Sequence, residues 1–359
     1  MDAENEIVLD IKKFYMRLQD EESQDIFLNM LNYYLSGNLK HIYNRKRSYE
    51  NSDARDSETS LYHFIYNYNN ISSEEKETII VYGVSDFNEG AAQYLQSIDI
   101  NIKYFCDYSE EKQKRLCCGL EVLSPKTVVN KFKNSTILFI GEYNKVDAFM
   151  YLCIKNGIQQ SQFKLIHKID PPYFNLKFFQ PCENEIFVDG GSYIGNTVLD
   201  FIKWCGGKYS KIYAIEPDLH NYEKLKKSLS DNNVKNATTI PKGLWSRSAK
   251  LNFEQNGDMT SCFIDRGTQA VPVDTLNNIV GNDPVTFIKM DIEGMELEAL
   301  KGANNVIRKS KPRLAICIYH KPEDILEIPL YLAKLVPEYK YYLRQHTPFN
   351  LETVLYATL

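Results

Sequence analysis

Ile186-Phe-Val188, followed at once by Asp189-Gly190-Gly191-Ser192-Tyr193-Ile194-Gly195, is the stretch on which the fold turns. The apolar triplet reads as a buried strand and the glycine-rich run as a loop. Thr197, Val198, Phe201, Ile202 and Trp204 then recur at helical spacing. Strand, glycine loop and helix in this order predict a nucleotide-binding turn with the spacing D-x-G-x-x-x-G and an acid at the strand's end.

Two further elements repeat the pattern. Lys211-Ile-Tyr-Ala-Ile215 predicts a second strand ending at Glu216-Pro217, 21 residues beyond Gly195 (216 − 195). An acid there is positioned to accept both hydroxyls of a ribose. Pro217 is expected to start the next helix, with Asp218 in its first turn and Tyr222, Leu225 and Leu229 along its apolar face. Val285 to Met290 predicts a third strand, running into Asp291-Ile292-Glu293-Gly294-Met295-Glu296 and a helix through Leu300 and Ala303. The acid at position 189 would repel a diphosphate and attract an ammonium. S-adenosylmethionine (SAM) carries an ammonium, a sulfonium and no phosphate. Gly191 and Gly195 are expected to let backbone approach its methionyl end, with Asp189 as the floor.

Lys289-Met-Asp-Ile-Glu-Gly-Met-Glu-Leu-Glu-Ala-Leu-Lys-Gly-Ala303 closely resembles the KxDxEGxE…LxGA block of the FkbM-type SAM-dependent methyltransferases. Phe187 to Gly195, Ile215-Glu-Pro217 and Val273-Asp-Thr-Leu276 resemble the family's other segments, in order, over about 185 to 359. Asn277-Asn278 departs from it, where acidic residues are common. The resemblance implies a class I methyltransferase, a mostly parallel Rossmann-like sheet, that O-methylates a sugar, glycan or natural-product hydroxyl. The expected cofactor-binding residues are Asp189, Gly190, Gly191, Ser192, Tyr193, Gly195, Glu216, Pro217, Gly243, Leu244 and Asp291.

Beyond the block, Arg313 to Ile318 predicts a further strand ending at Tyr319-His320, and Ile325 to Leu335 a helix. Tyr339 to Leu343 and Thr353 to Tyr356 then predict two strands joined by a short loop, hence antiparallel neighbours. Ligands of open α/β sheets bind at the strands' carboxyl ends, which gathers Asp189, Glu216, Asp291 and Tyr319-His320 round one crevice. A hydroxyl is a poor nucleophile at neutral pH, so His320 is the expected base and Asp291 its competitor or orienter. Arg344 and His346 are secondary candidates for holding the acceptor. Asp291 with Glu293 could hold Mg²⁺, but two carboxylates alone argue weakly for it, and no metal is expected.

The first half reads differently. Residues 1–70 predict a helical segment: Phe14 and Leu18, then Ile26, Phe27, Met30, Leu31 and Tyr34, recur at helical spacing. Residues 71–170 predict a smaller Rossmann-like accessory domain, with strands at Thr78 to Tyr82, Ile102 to Phe105 and Thr136 to Ile140. Its loop, Gly83-Val-Ser-Asp-Phe-Asn-Glu-Gly90, has Ser85 and Asn88 where a dinucleotide fingerprint needs glycine. Pro171-Pro172 marks the boundary to a methyltransferase domain over 171–359.

Composition narrows the classes. The 359 residues carry a net charge of −5, with no basic excess to grip nucleic acid or an anionic membrane. No apolar run approaches a membrane span. The opening Met1-Asp-Ala-Glu-Asn-Glu-Ile is unlike a signal peptide. Eight cysteines, of which Cys117-Cys118 alone lie close, predict reduced thiols in a cytoplasmic protein. The expected partner is a small-molecule or glycan acceptor, and a homodimer is left open. Two rivals stand: a sugar-nucleotide oxidoreductase working through the first half, and a non-catalytic binding module that keeps the fold.

Overall fold

A computed structural model describes residues 3–37, 41, 78–97, 99–140, 146–166, 173–174, 176–254, 262–263, 269–346 and 352–359. The basic run Arg45-Lys46-Arg47, a polar stretch of turn-forming residues over 51–60, and Pro171-Pro172 lie outside the described residues. The chain divides into two units, Met1–Leu35 with Pro171–His346 and Asn350–Leu359, and Ser36–Asp170 with Thr347–Phe349. No helix among the described residues is long and apolar enough to cross a membrane.

The chain opens with helices α1 (Ala3–Tyr15) and α2 (Glu21–Ser36). The second unit then follows with β1 (Ile79–Tyr82), α3 (Asp86–Ser97), β2 (Ile102–Cys106), β3 (Leu116–Cys117), β4 (Leu120–Leu123), α4 (Pro125–Lys131), β5 (Thr136–Ile140), α5 (Val146–Lys155) and β6 (Phe163–Ile166). Its sheet has the order β3-β4-β2-β1-β5-β6, and all neighbours except the β3–β4 hairpin are parallel. Successive side chains of a strand point to opposite faces. Ile79 and Val81 accordingly enter one core, and Ile80 and Tyr82 the other. The doubly wound layer is as expected; β3, β4 and β6 are additional.

The first unit continues with β7 (Glu185–Gly190), α6 (Asn196–Trp204), β8 (Tyr209–Ile215), α7 (Leu219–Asp231), β9 (Ala237–Ile240), β10 (Gly243–Leu244), β11 (Ala249–Glu254), β12 (Cys262–Phe263) and β13 (Gln269–Asp274). After these come α8 (Leu276–Val280), β14 (Phe287–Met290), α9 (Glu296–Gly302), α10 (Asn304–Ser310), β15 (Arg313–Cys317), α11 (Asp324–Leu335), β16 (Lys340–Gln345) and β17 (Thr353–Thr358). The main sheet runs β16-β17-β15-β14-β7-β8-β9. The last strand is inserted between β15 and β16 and is antiparallel to both, whereas the other pairs are parallel. This is the mostly parallel sheet with a C-terminal antiparallel hairpin that the sequence led us to expect. A second sheet, β10-β13-β11-β12, was not foreseen.

Expected as part of a separate segment over 1–70, the two N-terminal helices belong to the first unit. Phe14, Leu18, Ile26, Phe27 and Met30 enter the core that holds Tyr341 and Leu343 of β16. The cause is the exposed edge of β16, whose unpaired backbone groups need partners. Gln19 N donates to Tyr341 O (3.1 Å), and Leu343 N donates to Ser23 Oγ (2.9 Å).

Candidate active site

The loop after β7 owes its glycines to the chain's own packing. A Cβ on Gly191, at φ +73°, would lie 1.9 Å from the Asp291 carbonyl oxygen, and one on Gly190 2.9 Å from Leu244 Cδ1. Gly195, at φ +94°, caps α6, and a Cβ there would press on Leu225 at 3.0 Å. The expectation that Gly191 and Gly195 make room for a ligand thus meets a nearer reason: they bring β7, β14 and α7 together. Ser192 is equally committed, its hydroxyl donating to Asp189 O (2.9 Å) and accepting from Ile215 N (3.0 Å).

Asp189, expected beneath a ligand's ammonium, faces an ammonium of the chain itself. Lys289 Nζ lies 3.2 Å from Asp189 Oδ1, and both side chains are buried. The same ammonium donates to the carbonyls of Gly191 (2.9 Å) and Gly190 (3.3 Å), so one lysine ties the loop to β14. Burial opposes the charge of Lys289, but Asp189 and then Asp291 outweigh it and raise its pKa. Burial raises Asp189 against the pull of Lys289. The ammonium within hydrogen-bond range of two carbonyls favours the ionised pair.

Glu216 follows β8 and is buried. Its Oε2 accepts from Tyr193 N (2.8 Å) and its Oε1 from Asp218 N (2.9 Å). Both oxygens are oriented, and each retains a lone pair. Burial raises its pKa to about 7, against those two amides, with Asp218 raising it further and Lys289 lowering it. Tyr193 adopts φ +48°, a left-handed conformation that turns its amide to this carboxylate. Pro217 leads to Asp218, which is the cap of α7 and not a residue of its first turn, accepting from His220 N and Asn221 N. Gly243 and Leu244 form β10, and Leu244 packs against Gly190.

At the ends of β14 and β15, acids surround a histidine. His320 Nε2 lies 3.4 Å from Asp291 Oδ1 and 3.7 Å from Glu293 Oε2, and Nδ1 lies 3.0 Å from Glu296 Oε1. Tyr173 and Tyr319 each donate a hydroxyl to Asp291, both at 3.3 Å. Burial works to lower the His320 pKa, but Glu296 first, then Asp291 and Glu293, push it up to about 9. Glu293 rises to about 7 through burial and its acidic neighbours, against His320. Glu296 is fully buried and accepts from Ile292 N (2.8 Å), which closes the loop at the start of α9.

The structure places Asp189, Glu216, Asp291 and His320 at the carboxyl ends of β7, β8, β14 and β15. Lys289, Glu296 and Tyr173 were missed. Lys289 had a signal: a lysine inside the apolar run Val285 to Met290 needs a buried counter-charge. Arg344 and His346, the secondary candidates for holding the acceptor, have partners within the unit. Arg344 pairs with Asp20 (2.7 Å) and Glu22 (3.3 Å), and His346 Nε2 lies 2.8 Å from the Tyr356 hydroxyl. Both fasten the unit. We expect Arg344→Ala to lower stability by about 1–3 kcal/mol in thermal melts and to leave the KM for the acceptor unchanged; a raised KM with an unchanged melt would return it to the site.

In the second unit, Asp107 repeats the Glu216 clamp, accepting from Val84 N (2.9 Å) and Ser109 N (2.8 Å). Lys112 Nζ, however, reaches Val84 O (2.9 Å) and Asp107 Oδ2 (3.4 Å), across the face a ribose would need.

Residues 189–342 match the family model described as the methyltransferase FkbM domain. No curated protein matches the chain. Similar solved structures include methyltransferase FkbM from Methylobacillus flagellatus KT, 20% identical over 79% of this chain and 90% of that one, TM-score 0.49. An rRNA methylase from Streptococcus thermophilus is 20% identical over 49% of this chain and 86% of its own, TM-score 0.33. M. jannaschii TYW2 in complex with AdoMet is 18% identical over 52% and 69%, TM-score 0.28.

Proposed function

We propose, for a chain whose residues 189–342 form an FkbM methyltransferase domain, that it transfers a methyl group from SAM to a hydroxyl of a sugar, glycan or natural-product intermediate. The observation that carries the reading is Glu216, a buried carboxylate at the end of β8 with each oxygen oriented by one backbone amide. Such a group accepts two adjacent hydroxyls, as a ribose presents them. SAM supplies an electrophilic methyl: the S–C bond breaks, an O–C bond forms, and the acceptor's proton is released. The loop Gly190–Gly195, held by Lys289, would present its backbone to the methionyl end, with Leu244 packed beneath it. Asp291 would stand at the acceptor side and take the proton; His320, which its carboxylates hold protonated at neutral pH, would do so only after giving up its own. The hydroxyl as nucleophile rests on the acid–base groups there.

Glu216→Ala should weaken SAM binding at least about tenfold, or 1.4 kcal/mol, in calorimetric titration. Only the ionised carboxylate accepts from both hydroxyls, and its pKa is near 7. Affinity should therefore fall as pH drops through that value, and Glu216→Gln should flatten the dependence. Unchanged affinity in the alanine variant would remove Glu216 from the site and the reading with it.

A further inference from the structure

The corner around His320 holds more charge than a proton relay requires. Three carboxylates, of Asp291, Glu293 and Glu296, converge on one imidazole within 3.0–3.7 Å. One donor atom each of Asp291, Glu296 and His320 lies within 4.8 Å of the others. The histidine side chain is only 9% exposed, yet neither ring nitrogen makes an aligned hydrogen bond, and Glu296 Oε2 is buried without one. A buried imidazole aimed between two carboxylates, with nothing aligned to receive it, is half of a coordination sphere.

We propose that His320 Nε2 and Asp291 Oδ1 bind a divalent transition-metal cation, and that Glu296, the third member of the cluster, orients the ring through Nδ1. Ligands on one tetrahedral ion with bonds of about 2.1 Å stand about 3.4 Å apart. His320 Nε2 stands 3.4 Å from Asp291 Oδ1. A carboxylate on the far nitrogen of a ligating histidine fixes its tautomer and direction, which is the place of Glu296 at 3.0 Å. One imidazole with carboxylates suits Mn²⁺, Fe²⁺ or Zn²⁺. The sequence offered Asp291 with Glu293 as a weak Mg²⁺ pair and no metal was expected; the nitrogen donor enters only because β15 delivers His320 beside β14. In the methyltransferase reading, on which its role but not its existence rests, the cation would hold the acceptor oxygen and ease loss of its proton.

The test is a calorimetric titration of the chelator-treated full chain with MnCl₂, with SAM binding measured on the same samples. The expected result is saturable binding, weakened at least tenfold in Asp291→Asn and His320→Ala and by about 10–100-fold in Glu296→Gln. Asp291→Asn keeps the side chain's size, and thermal melts identify any variant that fails to fold. Mn²⁺ binding without SAM binding would keep the cation site and remove the methyltransferase reading. SAM binding without saturable Mn²⁺, or Mn²⁺ affinity unchanged in Asp291→Asn, would overturn the cation site and leave the carboxylates to face the sulfonium.

Discussion

Lys289→Met is expected to destabilise the first unit by roughly 3–5 kcal/mol, the usual cost of removing one partner of a buried ion pair. The variant leaves Asp189 as a carboxylate with no surface exposure and also removes the donor to two loop carbonyls. Methionine fills the same space, so a cavity does not explain the loss. The chain has two tryptophans, Trp204 and Trp245, and both lie in this unit, so tryptophan fluorescence in urea reads it separately from the other. Adding Asp189→Asn to Lys289→Met should restore part of the stability, because the uncompensated charge is then gone. A cost below about 1 kcal/mol would mean that the pair does not fasten the loop. SAM affinity should fall in the single variant as well, since Lys289 ties the carbonyls of Gly190 and Gly191 to β14.

What could be read from the sequence divides along physical lines. Strand, loop and helix were legible wherever an apolar run ended in glycine or an acid, as at Val188-Asp189, Ile215-Glu216 and Met290-Asp291, because burial and turn chemistry are local. The last hairpin was legible because a short loop permits only antiparallel neighbours. Contacts between elements were not. Lys289 lies opposite Asp189 only through the parallel register of β14 on β7. Glu296 meets His320 only because the loop that opens α9 folds back beside the end of β15. Arg344 looked available for a ligand because its partners, Asp20 and Glu22, lie more than 300 residues earlier. The glycines were singled out as room for a ligand, whereas the atoms nearest a Cβ there belong to Asp291, Leu244 and Leu225.

The same burial decides how His320 has to be tested. His320→Ala should lower kcat at least about 100-fold, the lower bound for a group that handles the acceptor's proton, with SAM affinity nearly intact. Alanine alone gives a mixed result, however. It removes the ring 3.0 Å from Glu296 Oε1, and a fully buried carboxylate then loses its charged neighbour, so the melting temperature should fall too. His320→Gln separates the effects, because its amide can still donate towards Glu296 while it offers no imidazole to the acceptor. The expected pattern is a matched loss of kcat in both variants, with the loss of stability concentrated in alanine. If the glutamine variant stays folded and turns over within about tenfold of the parent, His320 is structural, and positioning in the crevice must supply the rate. A loss of kcat in both variants would follow equally if the ring took a proton or held a cation. The Mn²⁺ titration therefore decides between those roles, and the glutamine variant decides whether there is a role to divide.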